Sequence, residues 1–329
     1  MAAKGTILSG MRPTGRLHLG HQSVLNNWVQ LQEQYKCFFM AADWHALTTG
    51  WEEAKDIHDN TVEMVADWLA AGLNPEKSVI FSQSSVLEHA ELHLLFSMVT
   101  PLSWLERVPS YKDQIQKLGE MGKDINTYGF LGYPLLQAAD ILIYKANAVP
   151  VGEDQLPHVE LTREVARRFN HLFKPVFPEP QGIINREFAV LPGIDGAKMS
   201  KSYHNYISMG AYPEEIKKNV NLMITDPARI RKTDPGNPAV CVVHKFHRIY
   251  NDNLLEGLEA DCRAGNIGCV ACKKQLSAAL EQALGPVRER REQVLSRKGY
   301  IEDILRDGAE KARAAAAATM KEVREAIFG

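Results

Sequence analysis

Short apolar runs alternate with amphipathic stretches of helical spacing through the first half of the chain, and this alternation constrains the fold more than any other feature. GTILSG (5–10), a helix from about His21 to Gln34, the apolar CFFMAAD (37–43), a helix from about Glu53 to Ala71, SVIFSQSS (78–85) and a helix from about Glu88 follow one another. Strand-length apolar runs separated by helix-period segments read as β-α-β units, which place their strands parallel in one sheet with helices on the faces. The expected fold class is α/β, built on a doubly wound parallel sheet. Ligands of such sheets sit at the carboxyl ends of the strands. That points to the loops after Ile7 and Leu8, after Ala41 and Ala42, and after Val149 to Val151.

From about Tyr203 the pattern changes to helices separated by Pro and Gly, in TDPARIRKTDPGNP (225–238) and LGPVRERREQ (284–293), with no convincing strand. The closing GAEKARAAAAATMKEVREAIFG has high helix propensity and reads as one long helix, with close helix packing as the reason for alanines 314–318. A chain of 329 residues, 45% of them hydrophobic, can bury more than one core. The expected division is a Rossmann-like domain at 1–202, a helical domain at 203–300 and a C-terminal helix at 301–329 packing back on the first domain.

No apolar run approaches the ~20 residues that span a bilayer, and the start MAAKGTILSG lacks an apolar signal region. A cytoplasmic protein without a membrane partner is expected. The formal net charge of -2 gives no whole-molecule attraction to nucleic acid, so any RNA contact must come from local basic patches.

Two motifs carry chemistry. MRPTGRLHLGH (11–21) follows a strand and opens a helix, the setting of a phosphate cradle. Glycines at 10, 15 and 20 let backbone approach a nucleotide, and His18 and His21, three apart, can both face one ligand. Far downstream, DGAKMSKS (195–202) sets Lys198 and Lys201 around a Met-Ser pair on a Gly-bearing loop, which suits a migrating triphosphate charge. The pair, in this order, resembles the two signatures of class I aminoacyl-tRNA synthetases.

The resemblance extends over nearly the whole chain to the tryptophanyl-tRNA synthetases, on MRPTGRLHLGH, ADWHALTT, LERVPSYK, YPLLQAADILIY, VPVGEDQLPHVELTRE and KMSKS, all in family order. It implies ATP-dependent activation of L-tryptophan to tryptophanyl-adenylate and transfer to tRNA(Trp). His18, His21, Lys198 and Lys201 would then be catalytic, and the first domain would hold the ATP and tryptophan sites. Arg12, Pro13, Thr14, Gly20, His21, Gly152, Asp154, Lys198, Met199, Ser200, Lys201 and Ser202 would bind ATP, with Mg²⁺. Asp140 would accept the indole N–H, Tyr133 and Gln155 would hold the substrate ammonium, and Val149 and Val151 would wall the ring. Leu8, His45 and Gln137 would complete the tryptophan site. A buried carboxylate paired with a ring N–H rejects phenylalanine, which would leave the carboxylate unpaired. The resemblance also implies a homodimer joined through the nucleotide-binding domains, and by analogy an anticodon-binding role for the helical domain.

Tyrosine is the closest rival substrate. Many tryptophanyl enzymes carry Met where Gln137 stands, and Tyr133, Gln137 and Asp140 also resemble a tyrosyl pocket. Tyrosyl enzymes usually offer a tyrosine from the first strand, where this chain has Leu8. A nucleotidyltransferase sharing the H-x-G-H site and a non-catalytic tryptophan- or RNA-binding protein are the remaining alternatives.

Four of the five cysteines form Cys241-x20-Cys262-x6-Cys269-x2-Cys272, a soft-ligand set that reads as a metal centre. Spacing alone does not separate zinc from iron-sulfur. The run is very similar to that of a subset of bacterial tryptophanyl enzymes, which implies a 4Fe-4S cluster, with Zn²⁺ the alternative. Cys37 reads as a core residue. Basic residues gather at Arg163, Arg167 and Arg168, at Arg229, Arg231 and Lys232, and at Arg288, Arg290, Arg291, Arg297 and Lys298, and read as solvated helix faces.

Overall fold

The computed structural model of the chain describes residues 3–109, 111, 125–184 and 191–329. Ser110 and Lys112 of the LERVPSYK motif lie outside the described residues.

Strand β1 (Thr6–Met11) is followed by helix α1 (Gln22–Leu31), β2 (Lys36–Ala41), α2 (Asp43–Gly50), α3 (Ile57–Ala71) and β3 (Ser78–Ser82). Then come α4 (Glu88–Ser97), α5 (Leu102–Glu106), α6 (Tyr128–Ile143), β4 (Ala148–Pro150), α7 (Leu156–Leu172) and β5 (Gln181–Ile183). The strands form one parallel sheet in the order β3-β2-β1-β4-β5. The chain winds outward from β1 to β3, then returns to lay β4 on the other side of β1. This reversal opens a crevice at the carboxyl ends of β1 and β4, where ligands bind in open α/β sheets.

Alternation along the strands feeds two layers. Ile7 and Phe39 face one side, where Trp28 of α1 stacks on Phe39 at 4.6 Å and meets Trp68 of α3 edge-on at 5.2 Å. Leu8, Phe38, Met40 and Phe81 face the other, under α4, α6 and α7. Both faces are covered, so β2 is buried at every position after Lys36 and its sequence is a continuous apolar run. Each large ring fully buried there contributes roughly 1.5–3 kcal/mol.

The helix expected from Glu53 starts later. Residues Trp51–Asp56 form a 3-10 turn with Glu53 at φ -101, ψ 16, and α3 begins only at Ile57. The ADWHALTT segment is itself helical, as α2, and aims His45 at the crevice.

Beyond Tyr203 the described residues contain no strand, only helices α8 (Pro213–Leu222), α9 (Val242–Tyr250), α10 (Leu255–Ala264), α11 (Cys269–Ser296) and α12 (Tyr300–Phe328). Gly285-Pro286 does not break the chain as its composition led us to expect. Pro286 lies inside the 28-residue α11, where Leu276, Leu280 and Leu284 before it and Arg291 after it are all buried. Tertiary packing on both sides of the proline outweighs the lost backbone bond. Helix α11 packs on α3, α8 and α9, and α12 packs on β3 and α4. No described helix is long and apolar enough to cross a membrane.

Candidate active site

A cavity of about 410 Å³ opens at the carboxyl ends of β1, β2 and β4. Leu8, Met40 and Ala42 form its floor, and Val149, Val151 and Gly152 form one wall. Helix α6 presents Tyr133, Gln137 and Asp140, spaced four and three apart on one face. Arg12, His21, His45 and Gln155 also line it.

Asp140 is 1% exposed and its carboxylate is held from three elements. Oδ1 accepts from His89 Nδ1 at 2.6 Å and from the Gln83 amide at 2.8 Å, while Oδ2 accepts from His45 Nε2 at 2.8 Å. A carboxylate only accepts, so both imidazole nitrogens facing it carry protons. His89 Nε2 shares a hydrogen bond with the Tyr144 hydroxyl at 2.7 Å. Burial opposes charge on Asp140, but the bonds from His45 and His89 outweigh it and hold the carboxyl well below its usual range. Burial, and next the Asp140 charge, push the Tyr144 phenol far up, so it stays a donor.

A larger cleft of about 1060 Å³ adjoins the first, and His21 lines both. His18 and Gly20 form one wall, Lys198 and Met199 another. The His18 and His21 rings lie 4.0 Å apart. His18 Nδ1 accepts from the Gly20 amide at 3.1 Å, and that amide also points at the Met199 sulfur at 3.2 Å. Burial pushes His18 down to about 3 and His21 down to about 4, so both are neutral at pH 7. A Cβ on Gly20 would stand 2.9 Å from the His18 ring, so only glycine fits unless that ring moves.

Lys201 lines neither cavity. Its ammonium donates to the Thr14 carbonyl at 2.6 Å and so bridges the two signature loops, and burial pulls its pKa down. Pro13 is buried, while Asp154 and Ser200 stand outside both linings. The Ser202 side chain lies outside the described residues. Asn205, 2% exposed, latches the second loop by donating to Asp195 and the Lys198 carbonyl at 2.9 and 3.0 Å and accepting from the Ser200 amide at 2.8 Å.

Residues 2–285 match the family model described as tRNA synthetases class I (W and Y). A tryptophan–tRNA ligase of Thermotoga maritima is 51% identical, with 98% of each chain covered. One from Aquifex aeolicus is 45% identical over 98% of this chain and 99% of its own. The chain belongs to the class I tryptophanyl-tRNA synthetases. Among solved members of that family, the Campylobacter jejuni synthetase complexed with ADP and tryptophane superposes with a TM-score of 0.88 at 33% identity, covering 97% of this chain and 98% of its own.

In this member of the family, four partner residues escaped the reading of the sequence. Gln83 and His89 hold Asp140, Asn205 holds the second loop, and His158 lines the smaller cavity within 3.4 Å of the Tyr133 hydroxyl, with burial pushing it down to about 4. Only His158 had a local signal, since it follows Gln155 by three residues at the start of a helix.

None of the four clustered cysteines is in a disulfide, and all are partly exposed. Arg229 reaches Cys262 Sγ and Cys269 Sγ, each at 3.9 Å, and Cys272 Sγ lies 3.4 Å from His247 Nε2. Burial first, and then Cys241, Cys262 and Cys269, push the Cys272 thiol up to about 12. Among the described residues no three His, Cys, Asp or Glu side chains gather as a single-ion site would require. The isolated Cys37 is buried in β2, and burial lifts its thiol to about 12.

Proposed function

We propose that the smaller cavity takes L-tryptophan and the larger cleft takes ATP, so that this tryptophan–tRNA ligase forms tryptophanyl-adenylate where the two meet. The observation that carries the reading is that His21 lines both cavities. A carboxylate oxygen of tryptophan attacks the α-phosphorus, the bond to the β-phosphate oxygen breaks, and pyrophosphate leaves with that electron pair. A ribose hydroxyl of the terminal adenosine of tRNA(Trp) then attacks the activated carbonyl and AMP departs. No protein nucleophile takes part. His18 and His21 act as neutral hydrogen-bond donors, and Lys198 and Lys201 follow the triphosphate charge. Mg²⁺ would arrive as MgATP; among the described residues no carboxylate lines the cleft, so phosphate oxygens would be its ligands.

In the smaller cavity the indole N–H bonds Asp140 from the His45 side, because Gln83 and His89 are fully buried while the His45 side chain keeps 11% exposure. Leu8 offers nothing to a phenol hydroxyl, which favours tryptophan over tyrosine.

Cys241, Cys262, Cys269 and Cys272 are proposed to hold a 4Fe-4S cluster, with zinc as the alternative. Four cysteine thiolates suit either centre, as the ligands of one zinc ion or as one ligand per iron of a cluster. Arg229 beside two of the thiols suits an anionic centre. Its contribution would be to tie α9, α10 and α11 together. The same reading makes 1–202 the catalytic domain, 203–300 the anticodon-binding domain and 301–329 a returning helix. It also makes the protein a cytoplasmic homodimer, paired through an apolar face that exposes Leu94, Met98 and Leu102.

The test is exchange of labelled pyrophosphate into ATP by anaerobically purified protein, with tryptophan, tyrosine or no amino acid. Exchange with tryptophan alone is expected. Exchange with tyrosine would move selectivity to Gln137, and none with either would end the activation reading. Iron and acid-labile sulfide in the same preparation decide cluster against zinc.

A further inference from the structure

The far wall of the larger cleft comes from the helical segment. Lys245 and Arg248 lie three apart on α9, one face of the helix, and both border the cleft opposite His18 and Lys198. Helix α9 is fastened to α1 at this point, since the Tyr250 hydroxyl donates to Gln22, the residue after His21. Both cations are exposed, and neither they nor Lys198 have a side-chain hydrogen bond or ion pair among the described residues. Other arginines of the chain, such as Arg163, Arg167, Arg288, Arg291 and Arg324, are paired with carboxylates. Among the described residues none of the cleft's lining is acidic, although the whole chain has a net charge of -2.

Three cations unpaired among the described residues, from two parts of the fold, converge on a concave site whose described lining holds no counter-charge, and together they focus a positive field that a single exposed cation cannot. We propose that Lys245 and Arg248 bind the β- and γ-phosphates of ATP and the pyrophosphate that replaces them. The helical segment thus supplies one wall of the triphosphate site. The proposal rests on reading this cleft as the ATP site. A guanidinium and an ammonium on one helical turn fit this load, the first bidentate to one phosphate and the second a mobile point charge.

The full-length Lys245→Gln, Arg248→Gln variant tests this in pyrophosphate exchange and in pyrophosphorolysis of the adenylate. KM for ATP and for inorganic pyrophosphate should each rise about tenfold, the scale of two charge-assisted contacts to phosphate. Tryptophan affinity by equilibrium titration should stay unchanged, and the salt dependence of KM for pyrophosphate should flatten. Lys245→Arg with Arg248→Lys, which keeps both charges, should recover most of the loss, whereas a merely structural role would not follow charge. Lys198→Ala is the control. If Lys198→Ala raises KM for ATP and the double glutamine variant does not, this inference alone falls. If Lys198→Ala also leaves ATP and pyrophosphate untouched, the cleft is not the ATP site and the reading beneath falls with it. A rise in KM for tRNA only would assign the two cations to RNA phosphates and overturn the proposal.

Discussion

At the scale of single residues, the site is built from histidines kept neutral by burial. His18, His21 and His158 take a proton only at about 3, about 4 and about 4 in the fold, against about 6.5 in an unfolded chain. Between those values the unfolded state binds more protons than the native one. The stability is therefore complete above pH 6.5 and drains away as pH falls toward 4, each group steepening the slope by up to about 1.4 kcal/mol per pH unit. Replacing His21 by Asn should remove one such increment, read as a shallower dependence of the urea midpoint on pH between 6.5 and 4. An unaltered slope would mean that His21 is already charged in the folded protein. Neutrality also serves the reaction, because an imidazolium at His21, which feels both Lys201 and Lys198, would add to a cluster of positive charge.

Among the elements, α12 has the tightest fit. At Gly308 its backbone lies directly on β3, and a Cβ there would stand 1.8 Å from the Ile80 carbonyl oxygen. Ala312 and Ala316, one and two turns further on, are fully buried, so small residues let the helix lie close. The contact covers the edge strand of the sheet, whose free backbone groups would otherwise be a pairing hazard. Gly308→Ala should lower the unfolding free energy by about 1–3 kcal/mol, the range for overpacking a rigid contact. Chemical denaturation followed by tryptophan fluorescence measures it. Wild-type stability in that variant would show that α12 can shift away from β3 without loss.

Across the whole molecule, a chain of charges joins the helical segment to the first signature loop. Arg291 of α11 donates to Asp67 Oδ1 at 2.7 Å and also binds Glu63, which Arg16 holds at 2.8 Å. Asp67 Oδ2 accepts the Leu17 amide at 2.6 Å, one residue before His18. Asp67 is 1% exposed and Arg291 7%, so removing the arginine leaves a buried carboxylate without its counter-charge. Arg291→Met should therefore cost about 3–5 kcal/mol of stability, and by loosening Leu17 it should raise KM for ATP more than KM for tryptophan in pyrophosphate exchange. Equal effects on both substrates would show that the strut stabilises the fold without positioning the loop.

Sequence alone determined what periodicity and local chemistry encode. Continuous apolar runs report strands buried on both faces, the 133, 137 and 140 spacing puts three polar side chains on one helical face, and a strand, a glycine-bearing loop and a helix in succession mark the first loop. Tertiary structure alone decided who meets whom. Gln83, His89 and Asn205 look like ordinary polar residues until β3, α4 and the second signature loop are packed around them. Arg291 reads as one more solvated charge in RERREQ until α11 lies on α3. Pro286 reads as a break until packing on both sides holds the helix through it. Lys245 and Arg248 belong to no motif and line the cleft once α9 is packed on α11 and bonded to α1 through Tyr250 and Gln22. Except at Asn205, whose partners lie within ten residues, the deciding contact joins segments far apart in sequence, and the pattern within a segment reports its own burial without naming the partner that buries it.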